Sequence, residues 1–196
     1  ITLTGLAYNT TYTTLQIRAV NAGGSGTASN QFSGSTSAGA PTLTGFTTIT
    51  TTSFSVGFTA PSGSALTSYE YSTDGGSTWT DAATTTSPIA ITGLAANTAY
   101  SVKLRPVTLG VVGVASSAST GTTLAEAPTS VTASSVAGSA TTLSVAFTAP
   151  TGGGATITGY EFSADGGTSW SAATGASSPV TLTGLTSSTA YTQLLL

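Results

Sequence analysis

Thr92-Gly93-Leu94-Ala95-Ala96-Asn97-Thr98-Ala99-Tyr100 decides the fold of this chain, because its pattern, Thr-Gly-Leu-x-x-x-Thr-x-Tyr, is written three times. The other copies run from Thr4 to Tyr12 and from Thr183 to Tyr191. The glycines of the three copies lie 88 and then 91 residues apart. A period of about 90 residues is too long for a solenoid unit and is typical of a small β-sandwich domain. We therefore predict a tandem array of β-sandwiches.

Two positions of the pattern have a mechanical interpretation. The leucine is expected to seal one end of a sandwich core. The tyrosine is expected to start a strand and to tie its hydroxyl back to the preceding corner. We assign both positions to holding the fold and not to binding. These structural corner residues are Leu6, Tyr12, Leu94, Tyr100, Leu185 and Tyr191.

The middle copy has the clearest strand signals. Apolar and small residues alternate in Phe54-Ser55-Val56-Gly57-Phe58, which is typical of a half-buried strand. Asp74-Gly75-Gly76 predicts a hairpin turn, because Asp-Gly supplies the positive φ angles of a tight turn. Trp79 is expected to begin the return strand, and a last, weaker strand is expected between residues 111 and 123. The other inward positions are Tyr69, Tyr71, Ile89, Ile91, Tyr100, Val102 and Leu104.

The third copy repeats this order of signals. Val145 and Phe147 lie in its first alternating strand, and Asp165-Gly166-Gly167 and Trp170 follow. About seven short strands per unit, frequent turn residues and no helical periodicity predict an antiparallel sandwich of two sheets. The predicted fold class is therefore all-β, with tandem seven-stranded antiparallel β-sandwiches.

In this combination the units resemble fibronectin type III domains. Four features carry the resemblance: the openings Ala40-Pro41 and Ala127-Pro128, the run from Val56 to Pro61, the run from Tyr69 to Gly76, and the Gly-Leu-to-Tyr corner. In one departure, Phe58 and Phe147 replace the family's core tryptophan on the second strand. The Asp-Gly-Gly…Trp wording is similar to that of fibronectin-like repeats in microbial and viral surface proteins.

The phase of the corner motif predicts the domain boundaries. Residues 1–38 are expected to be the C-terminal strands of a truncated fibronectin type III-like domain, and residues 39–125 a complete one. Residues 126–196 are expected to form a third such domain that lacks its last strands. Ile1 corresponds to Ile89 of the middle copy, so the chain starts on the fifth strand of a sandwich, and the third copy contains that strand as well. Head-to-tail strand donation between chains would duplicate this strand without use. We therefore favour a window of a longer array, with neighbouring domains stacked through short junctions.

The composition argues against several classes of function. Only 5% of the residues are charged, against about 25% in a typical soluble domain, and the three cations cannot form a phosphate-binding patch. Histidine and cysteine are absent, which removes the usual nucleophilic and thiolate chemistry. No calcium-loop pattern and no apolar run of membrane-spanning length occurs. We expect no enzyme, cofactor, metal, nucleic acid or membrane insertion.

Three local expectations follow from aligning the copies. Glu70 should face Lys103 or Arg105 across the sheet surface, as an exposed pair worth about 0.2–1 kcal/mol. In the first copy, Tyr12 and Leu15 are out of phase by one residue, which indicates a bulge. In the third copy, Gln193 falls on the expected inward face, which raises the alternative of a register shift in the sixth strand.

Two candidate surface sites remain. Val111 and Val112 lie in the apolar loop 109–113 and form a candidate contact loop, unless they pack against a domain junction. Asn9-Thr10-Thr11 is a candidate glycosylation sequon.

The expected function is a non-catalytic spacer of a repetitive extracellular, cell-surface or virion-surface fibre, with an adhesive role as an option. The alternatives are a glycan- or host-protein-binding module and an accessory domain of a secreted carbohydrate-active enzyme. Expected partners are neighbouring repeats of the same chain; other copies in a fibre, or a host glycan or protein, are further candidates.

Overall fold

All regular structure in the described part of the chain is β-strand. The computed structural model describes residues 1–63, 66–108 and 110–196. These residues form two compact units. The first contains Ile1–Thr48, Phe54–Ile91 and Tyr100–Gly121, and the second contains Ile49–Ser53, Thr92–Ala99 and Thr122–Leu196. The predicted all-β antiparallel fold class is confirmed. Contacts and not repeats define these units, so the domain boundaries 1–38, 39–125 and 126–196 stay a prediction.

The first repeat contributes two small antiparallel sheets to the first unit. One pairs β1 (Thr11–Leu15) with β4 (Phe32–Ser35), and the other pairs β2 (Val20–Asn21) with β3 (Gly24–Ser25). The register of β1 against β4 shifts between Tyr12 and Leu15, so the predicted bulge is confirmed.

The middle repeat has a three-stranded sheet in the order β5-β6-β9. Its strands are β5 (Thr42–Thr47), β6 (Ser53–Thr59) and β9 (Ile89–Thr92). The predicted alternation holds along β6, since Phe54, Val56 and Phe58 are buried between half-buried neighbours. Burying one face of each strand against a second sheet supplies most of the free energy that holds such a sandwich together.

The second sheet of the middle repeat has the order β11-β10-β7-β8, with β12 also paired to β10. Its strands are β7 (Ser68–Ser72), β8 (Thr80–Asp81), β10 (Ala99–Thr108), β11 (Val111–Val112) and β12 (Ser119–Thr122). The last predicted strand is thus present in two pieces, β11 and β12. β7 and β10 correspond to the third and sixth strands of a fibronectin type III-like sandwich, and they are neighbours as that arrangement requires. Arg105 lies opposite Glu70.

The connection between β7 and β8 is wider than the predicted tight turn. Residues 73–79 separate the two strands, and the return strand begins at Thr80, one residue after Trp79. Gly75 and Gly76 do adopt the expected positive φ angles, 76° and 103°. The loop is wider because the Asp74 carboxylate accepts hydrogen bonds from the backbone amides of Ser77 and Thr78 and holds them in a longer path.

The third repeat lies in the second unit. A three-stranded sheet has the order β13-β14-β17, and β15 pairs with β16. The strands are β13 (Thr129–Ser135), β14 (Leu143–Thr148), β15 (Glu161–Phe162), β16 (Ser171–Ala172) and β17 (Val180–Leu182). Its core residues are Val145, Phe147, Phe162, Val180, Leu182 and Leu185.

At the C-terminal end of the third repeat, the pairing is shifted by one residue relative to the middle repeat, which is the alternative that Gln193 raised. Ser163 pairs with Leu195, whereas the equivalent Ser72 of the middle repeat pairs with Lys103, one position earlier in the pattern. Leu194 and Leu196 pack against the core, and Gln193 is exposed. A one-residue slip exchanges the two faces of a strand, so it places leucine inside and glutamine outside.

Candidate functional site

The tyrosine hydroxyl of the corner motif is hydrogen-bonded to the backbone of the preceding residues in the first and third copies. The Tyr12 hydroxyl accepts a hydrogen bond from the backbone amide of Ala7 at 2.9 Å. The Tyr191 hydroxyl accepts one from the amide of Thr186 at 2.7 Å. In the middle copy, the Tyr100 ring lies edge-on to Phe54, with 6.1 Å between the ring centroids. The three tyrosines are half-buried.

The backbone of the corner is left-handed at the same two positions in every copy. The motif glycines Gly5, Gly93 and Gly184 have φ angles of 76°, 74° and 76°. This left-handed region suits glycine because a Cβ would be strained there. The motif leucine follows, buried at Leu185 and half-buried at Leu6 and Leu94. The sixth position of the motif is also left-handed, at Asn9, Asn97 and Ser188.

A second repeated device involves an aspartate and a serine, and sequence reasoning missed the serine. Ser72 is buried, and its hydroxyl donates to the Asp74 carboxylate at 2.7 Å while accepting from the Gly76 amide at 2.8 Å. Ser163 makes the same two bonds to Asp165 and Gly167. The signal was the spacing Ser-x-Asp-Gly-Gly, which occurs in both copies.

These hydrogen bonds stabilise the charged form of both carboxylates. The Thr78 hydroxyl and amide hold the pKa of Asp74 well below its ordinary value, with help from Ser72. The Ser169 hydroxyl and amide, with Ser163, lower the pKa of Asp165 to about 2. Both aspartates are exposed, and the partners of their carboxylates lie within four residues in the sequence. The arrangement orders the loop and offers no proton donor for chemistry near neutral pH.

The predicted charge pair on the middle repeat is confirmed and is joined by an aromatic ring. Arg105 Nε lies 2.6 Å from Glu70 Oε2, and both side chains keep 25% of their surface exposed. Arg105 Cζ also lies 4.2 Å from the centroid of a Trp79 ring. The sequence placed the two charges opposite each other but gave no sign that Trp79 would cover the arginine. The guanidinium therefore has both a carboxylate partner and a cation–π contact.

The two candidate surface sites of the first unit meet in one groove. Val111 and Asn9 both line a groove of about 680 Å³, together with segments 35–38 and 66–67. The side chain of Val111 is 60% exposed and that of Val112 43%. Both valines lie in strand β11, which pairs with β10, where the sequence predicted a loop. They are exposed although their strand is paired. Leu109, the first residue of the predicted loop, lies outside the described residues.

Asn9, the residue of the sequon, is half-buried and has a φ angle of 49°. A Cβ built on Gly63 would lie 3.2 Å from the Asn9 Cβ and 3.5 Å from its Nδ2, so the amide faces that loop closely. Glycosylation at Asn9 stays a prediction, and a sugar on Nδ2 would compete with this packing.

Residues that would hold a metal ion are not brought together in the described ranges: no cluster of three or more His, Cys, Asp or Glu side chains occurs there. Within the same ranges, no helix is long and apolar enough to cross a membrane.

Comparisons with known proteins find likeness in structure. No protein-family model and no curated protein matches the sequence. A structure described as "Myokine structure" is 19% identical, with a TM-score of 0.39 over 45% of this chain and 99% of that one. A fibronectin type III domain derived from the human KIAA0970 protein is 19% identical, with a TM-score of 0.36 over 43% and 72%. A segment of two fibronectin type III domains from chicken tenascin is 17% identical, with a TM-score of 0.42 over 75% and 84%. The fold assignment rests on the strand pairing of this chain itself.

Proposed function

We propose that the chain is a non-catalytic structural and spacing module of a repetitive extracellular or virion surface fibre. The observation that carries the proposal is the repeated corner. Tyr12 and Tyr191 make the same hydrogen bond in separate copies, and the motif glycines share one backbone angle. A chain that repeats the parts that hold its fold is suited to adding length.

The surface chemistry also supports a spacer. Only 5% of the residues are charged, and strand β13 is exposed at every position with the sequence Thr-Ser-Val-Thr-Ala-Ser-Ser. Such a hydroxyl-rich surface has little charge for salt to screen. A neutral surface of this kind favours inertness over recognition.

The test varies the number of repeats. One and then two further copies of residues 39–125 are inserted after residue 125, and the greatest dimension is measured by small-angle X-ray scattering. We expect equal increments on the order of 30 Å per copy, the length of strands of 7–10 residues. A dimension that does not grow with each copy would contradict the proposal.

A second candidate function is recognition of a glycan or a host protein through the exposed valines. The observation in its favour is the position of Val111 at the groove of about 680 Å³. The whole chain is applied to a glycan array and to intact host cells, together with the double variant Val111→Ser/Val112→Ser. Val131→Ser is the matched control, because that valine is 44% exposed on β13. Binding that only the double variant loses would favour recognition over spacing.

A further inference from the structure

Asn97, the sixth residue of the middle corner, makes four hydrogen bonds to one loop within the second unit. Its side-chain Nδ2 donates to the backbone oxygens of Ala155 at 2.9 Å and Gly152 at 3.3 Å. Its own backbone oxygen accepts from the amides of Gly154 at 3.1 Å and Ala155 at 3.0 Å. One residue of the middle repeat thus meets both donors and acceptors in the loop after β14 of the third repeat.

The loop is shaped for this close approach. Gly153 has a φ angle of 83°, and a Cβ built there would overlap the backbone carbonyl of Asn97 and the oxygen of Ala96. Because these are backbone atoms, neither side of the contact has a flexible end that would move aside. Only glycine fits at this position, which gives the run Gly152-Gly153-Gly154 a structural reason.

The same pair of positions meets in the first unit. Asn9 is the equivalent of Asn97 in the first corner, and Gly63 is the equivalent of Gly152 in the loop after β6. A Cβ on Gly63 would lie 3.2 Å from the Asn9 Cβ, and one on Gly39 would lie 3.3 Å from the ring of Tyr8. Asn9 and Asn97 have φ angles of 49° and 50°. The corner of one repeat therefore lies against the equivalent loop of the following repeat at both places.

We propose that the corner asparagine, Asn9 or Asn97, is the docking residue through which the first and the middle repeat each bind the next repeat of the same chain. Its receptor is the glycine loop that follows β6 or β14, which includes Gly63 in the middle repeat and runs from Gly152 to Ala155 in the third. Asparagine suits this role for two reasons: it tolerates the left-handed conformation, and its amide donates to carbonyl groups. The inference rests on the proposed spacer function, since it names how the repeats are joined.

The test uses the full chain with the variant Asn97→Asp. Aspartate keeps the size and the tolerance for positive φ, but it replaces the donor with a carboxylate that faces two carbonyl oxygens. Asn30→Asp is the matched control, because Asn30 is exposed in the first repeat. The chain has no cysteine, so Ala90→Cys and Ser171→Cys, both at exposed positions, supply the only two sites for spin labels.

Two readouts are compared in these chains. In Asn97→Asp we expect a broader distribution of label-to-label distances and about 10-fold faster exchange of the Gly154 and Ala155 amides, as the loss of one or two hydrogen bonds implies. Gly153→Ala should broaden the distribution in the same way, and Asn30→Asp should leave it unchanged. An unchanged distribution in Asn97→Asp would overturn the proposal, even if the two amides exchange faster. This experiment and the repeat-number experiment can fail separately. Tightly joined repeats can still serve recognition of a ligand, and loosely joined repeats can still act as spacers.

Discussion

The hydroxyl groups of the corner tyrosines and of Tyr69 differ in their hydrogen bonding. The hydroxyl groups of Tyr12 and Tyr191 each satisfy a backbone amide five residues earlier. Tyr69 is fully buried, and its hydroxyl has no hydrogen-bond partner among the residues that the structure describes. Burial raises the pKa of Tyr69, because a charged phenolate would be poorly solvated there. The same substitution at the two kinds of site should therefore have different effects.

Tyr191→Phe is expected to destabilise the third repeat by about 1 kcal/mol, because the Thr186 amide loses its acceptor. Tyr69→Phe is the comparison, and we expect it to be neutral or stabilising, since it removes a buried polar group without a partner. Urea unfolding of the two variants and the wild type measures both effects. Equal losses in the two variants would show that the corner hydroxyl adds nothing specific.

Asp165 makes the stability of its loop depend on pH. Its pKa is about 2 when folded, against an ordinary value of 3.8. A folded pKa below the unfolded one stabilises the folded state above the unfolded pKa, and this contribution is lost as the pH falls towards 2. Asp74 is shifted in the same direction. We expect the chain to lose stability as the pH falls from about 4 to about 2, with no such loss between pH 5 and 7 from these groups.

The measurement is the melting temperature across this range of pH in the wild type, Ser169→Ala and Asp165→Asn. Ser169→Ala removes the donor with the largest effect on Asp165, so it should flatten the pH dependence. Asp165→Asn should flatten it further, because each carboxylate contributes at most about one proton to the difference between the two states. A slope that neither variant changes would assign the acid sensitivity to other carboxylates.

The C-terminal segment of the third repeat, which pairs through the isolated bridge between Ser163 and Leu195, shows how a residue pattern decides a register. Ser163 exchanges two hydrogen bonds with Leu195, at 3.0 and 2.8 Å. In the middle repeat the corresponding inward residues are Val102 and Leu104, which alternate with Lys103 and Arg105. Replacing both cations by leucine, and a valine by Gln193, reverses which face is apolar.

Gln193→Val/Leu194→Lys restores the pattern of the middle repeat at two of the three positions that differ. We expect the partner of Ser163 to move from residue 195 to residue 194, because the inward face would then again be apolar. Cross-strand nuclear Overhauser effects from the Ser163 amide measure the register. The single variant Gln193→Ser is the control and should keep the present pairing. If Ser163 stayed paired with residue 195 in the double variant, hydrophobic patterning would not set this register.

The elements that sequence reasoning placed well are those with a repeating apolar face. Phe54 to Phe58 alternate over five residues, and the strand lies there. Strands β8 and β16 have two residues each, too few for any periodicity to appear. The wide loop after β7 depends on the carboxylate of Asp74, which the Asp-Gly-Gly pattern alone does not distinguish from a tight turn. The side chain of Asn97 is hydrogen-bonded to Gly152 and Ala155, which lie 55 and 58 positions further along the chain. No local pattern in the sequence predicts such a contact.

At the scale of the whole molecule, each compact unit has its own core and its own tryptophan. Val56 is buried in the first unit and Val145 in the second, and the two occupy equivalent positions of the repeat. Trp79 belongs to the first unit and Trp170 to the second. With two tryptophans in all, a chain that carries Trp170→Phe reports the first unit by fluorescence, and one that carries Trp79→Phe reports the second.

Val56→Ala and Val145→Ala should each destabilise only their own unit. Truncating a buried valine removes two methylene equivalents at about 0.8 kcal/mol each and leaves a small cavity, so we expect a loss of about 2 kcal/mol. Sites without shared partners add to within about 0.5 kcal/mol, so the other unit should change by no more than that. Denaturant unfolding, followed in each single-tryptophan background, separates the two effects. If either valine variant shifted both transitions equally, the chain would unfold as one cooperative body, and the two cores would not be independent.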